Sequence, residues 1–163
     1  MSGNGLLHDL AACIQREIAL SEQLIEALRR EHQALIIRDT DALNEAVVRK
    51  SELIGAMQTC GGERNNLLRE GGMGTDRAAM DRLLARHDTQ RRGGIPRDWA
   101  RLLELGAECQ RQNLINGIII QAGQQQTRQA LAILRGQPVV AGGEYGPEGM
   151  RPSAPSSHPL ARA

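Results

Sequence analysis

From Pro96 to Gly136 the sequence contains no second proline, and midway through it stands an uncommon seam, Asn113-Leu114-Ile115-Asn116-Gly117. A helix over Arg97–Arg135, rising about 1.5 Å per residue, is roughly 58 Å long. A compact domain does not contain such a length, so the helix needs other long helices to lie along. Read at alternating spacings of three and four, one stripe runs Trp99, Leu103, Gly106, Gln110, Asn113, Gly117, Ile120, Gln124, Thr127, Leu131, Leu134. Its ends are apolar and its middle is polar. Amides at seam positions cost stability and fix register and partner number, and Gly117 lets another backbone approach at about 1 kcal/mol of helix propensity relative to Ala. Two uses of the seam stay open at this level: amides bonded inside a bundle, or direct contact with a partner helix.

Composition supplies the fold class. The chain has 163 residues, no Phe, and only Trp99 and Tyr145 as aromatics; its apolar content is mainly Leu, Ala and Ile. Sheet-forming chains draw on aromatic and β-branched residues, so the expectation is all-α. A net charge of +1 gives no electrostatic case for nucleic acid or an anionic membrane. Every basic residue except Lys50 is Arg, which favours bidentate contacts without naming a partner. Cys13, Cys60 and Cys109 are far apart in sequence and lack the spacing of a zinc or redox motif. They read as small core residues in a reducing compartment. The first residues lack the basic and apolar regions of a signal peptide, and no apolar run reaches membrane length, so a cytoplasmic protein without membrane insertion is expected.

Hydrophobic spacing lays out four helices. Leu7, Ala11, Ile14, Ile18, Ser21, Ile25, Leu28, His32 and Leu35, flanked by Leu10 and Leu24, give one apolar face over about Gly5–Ile37, with Glu17 and other charges around it. Arg38-Asp39-Thr40-Asp41 punctuates the pattern, with Asp39 or Thr40 as N-cap and Asp41 favourable at the helix dipole. So short a link implies an antiparallel hairpin. The second helix, about Thr40–Glu70, carries Leu43, Ala46, Val47, Leu53, Ile54, Met57, Cys60, Leu67 and Leu68, and at Gly61-Gly62 a kink is as well supported as continuity. A short helix over about Asp76–Arg91 follows, then the long one, with Pro96 as its first residue. The fold expected is an elongated antiparallel helical bundle of three long helices plus a short one. It spans residues 1–136, and residues 137–163 form a Pro/Gly-rich tail that cannot offset its ordering entropy and is disordered on its own. Val139-Val140 and Tyr145 are apolar handles on that tail.

Asn113-x-x-Asn116-Gly117, the run Ile118-Ile119-Ile120, the segment Thr127-x-x-Ala130-Leu131-x-x-Leu134-x-Gly136 and the tail motif Glu144-Tyr145-Gly146-x-x-Gly149 together resemble the FlgN family of flagellar export chaperones. The likeness extends more diffusely through Asp39-x-x-x-Leu43, Lys50–Leu53 and Arg64–Leu68, covering about Leu6–Gly149. Gly61-Gly62 and Arg91-Arg92-Gly93-Gly94 depart from it. The resemblance implies a cytosolic chaperone that binds the terminal helical segments of hook-associated (hook-filament junction) proteins, prevents their premature assembly and delivers them to the flagellar type III export gate or its ATPase complex. A homodimer is left open.

Chemical alternatives find little support. His8, His32, His87 and His158 each lack a second ligand at metal spacing, and His87-Asp88 are neighbours that point to different faces of a helix. Gly71-Gly72-Met73-Gly74-Thr75 precedes a helix without the lysine or the strand of a phosphate loop. No enzyme, cofactor or metal is expected. A histidine phosphotransfer bundle is the reading from another class, and a generic helical adaptor or coiled-coil scaffold is the runner-up. The long helix has more apolar surface than one hairpin partner covers, and that surplus assigns partner binding to Ile118, Ile119, Ala130, Leu131 and Leu134. Asn113, Asn116 and Gly117 join them from the seam, and Tyr145 from the tail.

Overall fold

A computed structural model describes residues 3–87 and 94–136, with side chains described over 5–85 and 94–136. The tail, with Tyr145 and Val139-Val140, lies outside the described residues. Among the described residues there are four helices and no strand: α1 (Gly3–Ile37), α2 (Thr40–Glu70), α3 (Arg77–His87) and α4 (Gly94–Leu134). The chain divides into two units, Met1–Gln125 and Gln126–Ala163.

The hairpin of α1 and α2 turns on Arg38, whose φ of 57° is left-handed, and Asp39 then caps α2 by accepting a 3.0 Å bond from the Ala42 amide. This satisfies one of the four amides that a helix start leaves without a partner. Asp76 does the same for α3, accepting from the Ala79 amide at 2.8 Å. Pro96 is the third residue of α4 rather than the first. It remains inside the first turn, where its missing N–H costs nothing.

Paired residues fix the directions. Cys13 meets Cys60, Glu17 meets Arg64 and Glu31 meets Lys50, so α1 and α2 are antiparallel. Gln15 meets Asp98, Ser21 meets Cys109 and Leu28 meets Asn116, so α4 returns parallel to α1. The short α3 makes this up-down-up order possible. Its Met80 and Leu83 pack with Leu10, Ile14, Leu68, Trp99 and Leu102 in one core cluster. A second cluster joins Leu24, Ile25, Ala27 and Leu28 of α1 to Leu53 of α2 and Leu105 and Cys109 of α4. Full burial of each large side chain contributes about 1.5–3 kcal/mol.

Two sequence expectations change. α1 is the central helix and buries two faces, so Glu17, expected among the surrounding charges, lies inside at 5% exposure, and Glu31 lies inside at 1%. α2, for which a kink and continuity at Gly61-Gly62 were both open, runs unbroken there, and the change lies in Val47 and Ile54, exposed instead of packed. The small residue at Gly61 has a steric reason. A Cβ there would stand 3.3 Å from the Glu17 Oε1 atom, whereas one on Gly62 would meet nothing.

Candidate functional site

The buried face of α4 is Trp99, Leu102, Leu105, Cys109 and Asn116. The sequence stripe shares Trp99 with it and then drifts by about one residue, or about 100° of helix, so Leu103 and Gly106 are only half-buried and Gln110 is exposed. The seam is divided by this phase. Asn116 is inside and Asn113 is at the surface.

Asn116 bonds to the bundle on every side. Its Nδ2 donates to the Leu28 carbonyl at 2.9 Å and to Glu31 Oε2 at 2.8 Å. Its Oδ1 lies 3.0 Å from His32 Nδ1, which donates to it in the Nδ1-protonated tautomer. The other oxygen of Glu31 accepts from Lys50 Nζ at 2.5 Å. One polar layer therefore links all three long helices, and each member is costly to leave without its partners. Nearer the start of the bundle a second pair, Glu17 and Arg64 at 2.7 Å, sets the guanidinium 5.2 Å from the centre of the Trp99 ring. Burial pushes the Glu17 carboxyl above its ordinary value, and Arg64 offsets part of that rise.

The remaining predicted partner-binding residues lie outward. Asn113 is exposed beside Leu114 (64%) and Ile118 (57%), with Gly117 half-buried between them and Ile119 half-buried on the flank. The positions 113, 114, 117 and 118 form one ridge. Among the described residues, a Cβ on Gly117 would meet nothing within 4 Å, so the close contact anticipated for it is not made with another described helix. In the second unit, Ala130 is exposed with Leu131 (44%), Ile133 (63%) and Leu134 (82%). Leu114, Ile120 and Ile133 are exposed apolar residues of α4 that the site assignment omitted. Ile133 adjoins the named Leu134 and shares its apolar character, whereas Leu114 and Ile120 flank the named run without being part of it.

All three cysteines are buried, as expected of small core residues, and two of them meet in space. Cys109 is alone on α4, donating to the Ser21 carbonyl at 3.7 Å, whereas Cys13 and Cys60 converge with Glu63 across the α1–α2 hairpin. Burial raises the Cys60 thiol to about 11, with the Glu17 carboxylate adding to the effect. Among the described residues no helix is long and apolar enough to cross a membrane.

The family model described as FlgN protein matches residues 1–153, nearly the whole chain. The chain belongs to the FlgN family. No curated protein and no solved structure matches it. FlgN-family proteins are flagellar export chaperones, and this chain, whose described elements are all helices, carries that general function.

Proposed function

We propose that this FlgN-family chain binds the terminal helical segments of hook-associated proteins in the cytoplasm and keeps them from assembling before export. It then delivers them to the flagellar type III export gate or its ATPase complex. The observation carrying this reading is the exposed apolar content of the last turns of α4: Leu131, Ile133 and Leu134 stand in water on a helix with no buried residue from Gln126 onward among the described residues. An amphipathic cargo helix, disordered when free, lays its apolar face on such a surface and spends part of the interaction energy on its own ordering. The ridge of Asn113, Leu114, Gly117 and Ile118 is a second apolar patch with amide contacts for a partner, and Tyr145 is the anchor assigned to the export gate. A homodimer covering the same leucines is the competing occupant.

Calorimetric titration of the full chain with the isolated terminal segment of a hook-associated protein tests the assignment. Binding is expected. Leu131→Asp with Leu134→Asp should weaken it by about two orders of magnitude or more, since each lost anchor is worth roughly 1.5–3 kcal/mol. Helical circular dichroism should be retained. No binding to the unmodified chain overturns the cargo assignment in favour of a general helical adaptor. Equal affinity in the variant moves the site off these leucines, and a concentration-dependent dimer lost in the variant assigns them to self-association.

A further inference from the structure

The hairpin of α1 and α2 brings two thiols and a carboxylate together at the end far from its turn. Cys13 Sγ, Cys60 Sγ and a carboxylate oxygen of Glu63 all lie within 4.8 Å of one another, and Cys13 Sγ stands 3.9 Å from Glu63 Oε2. Both cysteines are buried, while Glu63 is exposed. The cluster therefore has a closed floor and an open side. That side is a surface depression of about 390 Å³ whose lining includes Asp9, Cys13, Arg16, Glu63 and Glu70, three of them acidic.

We propose that Cys13, Cys60 and Glu63 bind a thiophilic divalent cation of the zinc class, with a water from the depression as fourth ligand. Zinc takes thiolate sulfur at about 2.3 Å and carboxylate oxygen at about 2.0–2.2 Å in tetrahedral sites, which sets the ligands themselves somewhat under 4 Å apart. The Cys13–Glu63 separation already meets this, and rotation of the thiol side chains closes the rest.

Arg16 marks the same spot as one that holds positive charge. Its Nη2 lies 3.1 Å from Cys13 Sγ and 2.7 Å from Glu63 Oε2, and its side chain is more than half exposed. It can swing into water as the ion enters. Binding replaces two S–H bonds by two metal–sulfur bonds and releases two protons to solvent, while Glu63 enters as carboxylate, so no oxidant or reductant is required. The ion clasps α1 to α2 opposite the Arg38 turn. It touches neither the Asn116 layer nor the exposed leucines of α4.

Cobalt(II) titration of the reduced full-length chain tests the site. One equivalent should produce a thiolate-to-cobalt charge-transfer band in the near ultraviolet that zinc bleaches. Cys13→Ser and Cys60→Ser should each remove the band, and Glu63→Gln should weaken binding by at least about tenfold, the size seen even for losses in the outer shell of metal sites. Cys109→Ser should change nothing. A parallel measurement needs no variant: zinc should slow maleimide alkylation of Cys13 and Cys60 in the natural sequence and leave the rate at Cys109 unaltered. Absence of the band, its persistence when both Cys13 and Cys60 are replaced, or equal protection of all three thiols overturns the proposal.

Discussion

Up to Asn116, α4 presents Trp99, Leu102, Leu105, Cys109 and Asn116 to the other helices; from Gly117 to Leu134 it buries no described residue, yet it stays helical. The difference teaches that helix continuity and helix burial are specified separately. The first stretch is helical because an apolar face is covered. The second carries five Gln, three Ala and two Leu, which have good intrinsic propensity and outnumber its four Ile and two Gly, and it gains little from packing within the chain. Apolar side chains on the second stretch are therefore surplus to folding, which is the condition for a binding surface whose loss does not unfold the protein.

The comparison breaks most visibly through paired truncations. Leu105→Ala should cost about 2–5 kcal/mol in urea unfolding, and Leu134→Ala should remain within about 0.5 kcal/mol of the parent. Similar losses at both would erase the distinction. Within the seam, Asn116→Ala deprives buried Glu31 of a donor and should cost about 1–3 kcal/mol, while Asn113→Ala, at the surface, should be nearly silent in the same measurement. At the boundary, Gly117→Ala should raise stability by about 0.5–1 kcal/mol, because its Cβ meets open space. If the ridge serves a partner, the same substitution should weaken cargo binding, and a gain in stability with unchanged binding removes Gly117 from the site.

The smallest effect is a pH slope confined to the first stretch. The folded carboxyl of Glu17 titrates above its ordinary 4.5 because it is buried, so the folded state holds its proton more tightly than the unfolded chain. Its contribution to stability is then full below pH 4.5 and declines as pH rises through the raised value. Unfolding followed by Trp99 fluorescence should show that decline, and Glu17→Gln should flatten it.

Much of this was legible in the sequence. The bounds of α2, a cap at Asp39 or Thr40 and a helix start near Asp76 were readable because they depend on neighbours along the chain. The interior roles of Glu17 and Glu31 were not. Charged side chains are assigned to solvent by default, and only their partners Arg64, Lys50 and Asn116, each distant in sequence, justify burying them. The rotational phase of α4 was lost directly after Trp99, because Leu102, Leu103 and Leu105 offer apolar side chains on adjoining faces and spacing alone does not choose between them. The meeting of Cys13 with Cys60 and Glu63 did have a cue: these positions mirror one another about the Arg38 turn. Folding the sequence back on that residue would have found them.

Lys50 is the only lysine in the chain, and its amine is engaged by the buried Glu31 carboxylate. Side-chain acylation by amine-selective reagents is thus directed to a single address, guarded by the same contact that ties α2 to α1. The rate at which Lys50 is labelled measures how often that contact opens. Cargo that tightens the bundle slows the labelling, and cargo that pries it apart speeds it, so one mass-spectrometric peak reports what docking does to the scaffold beneath.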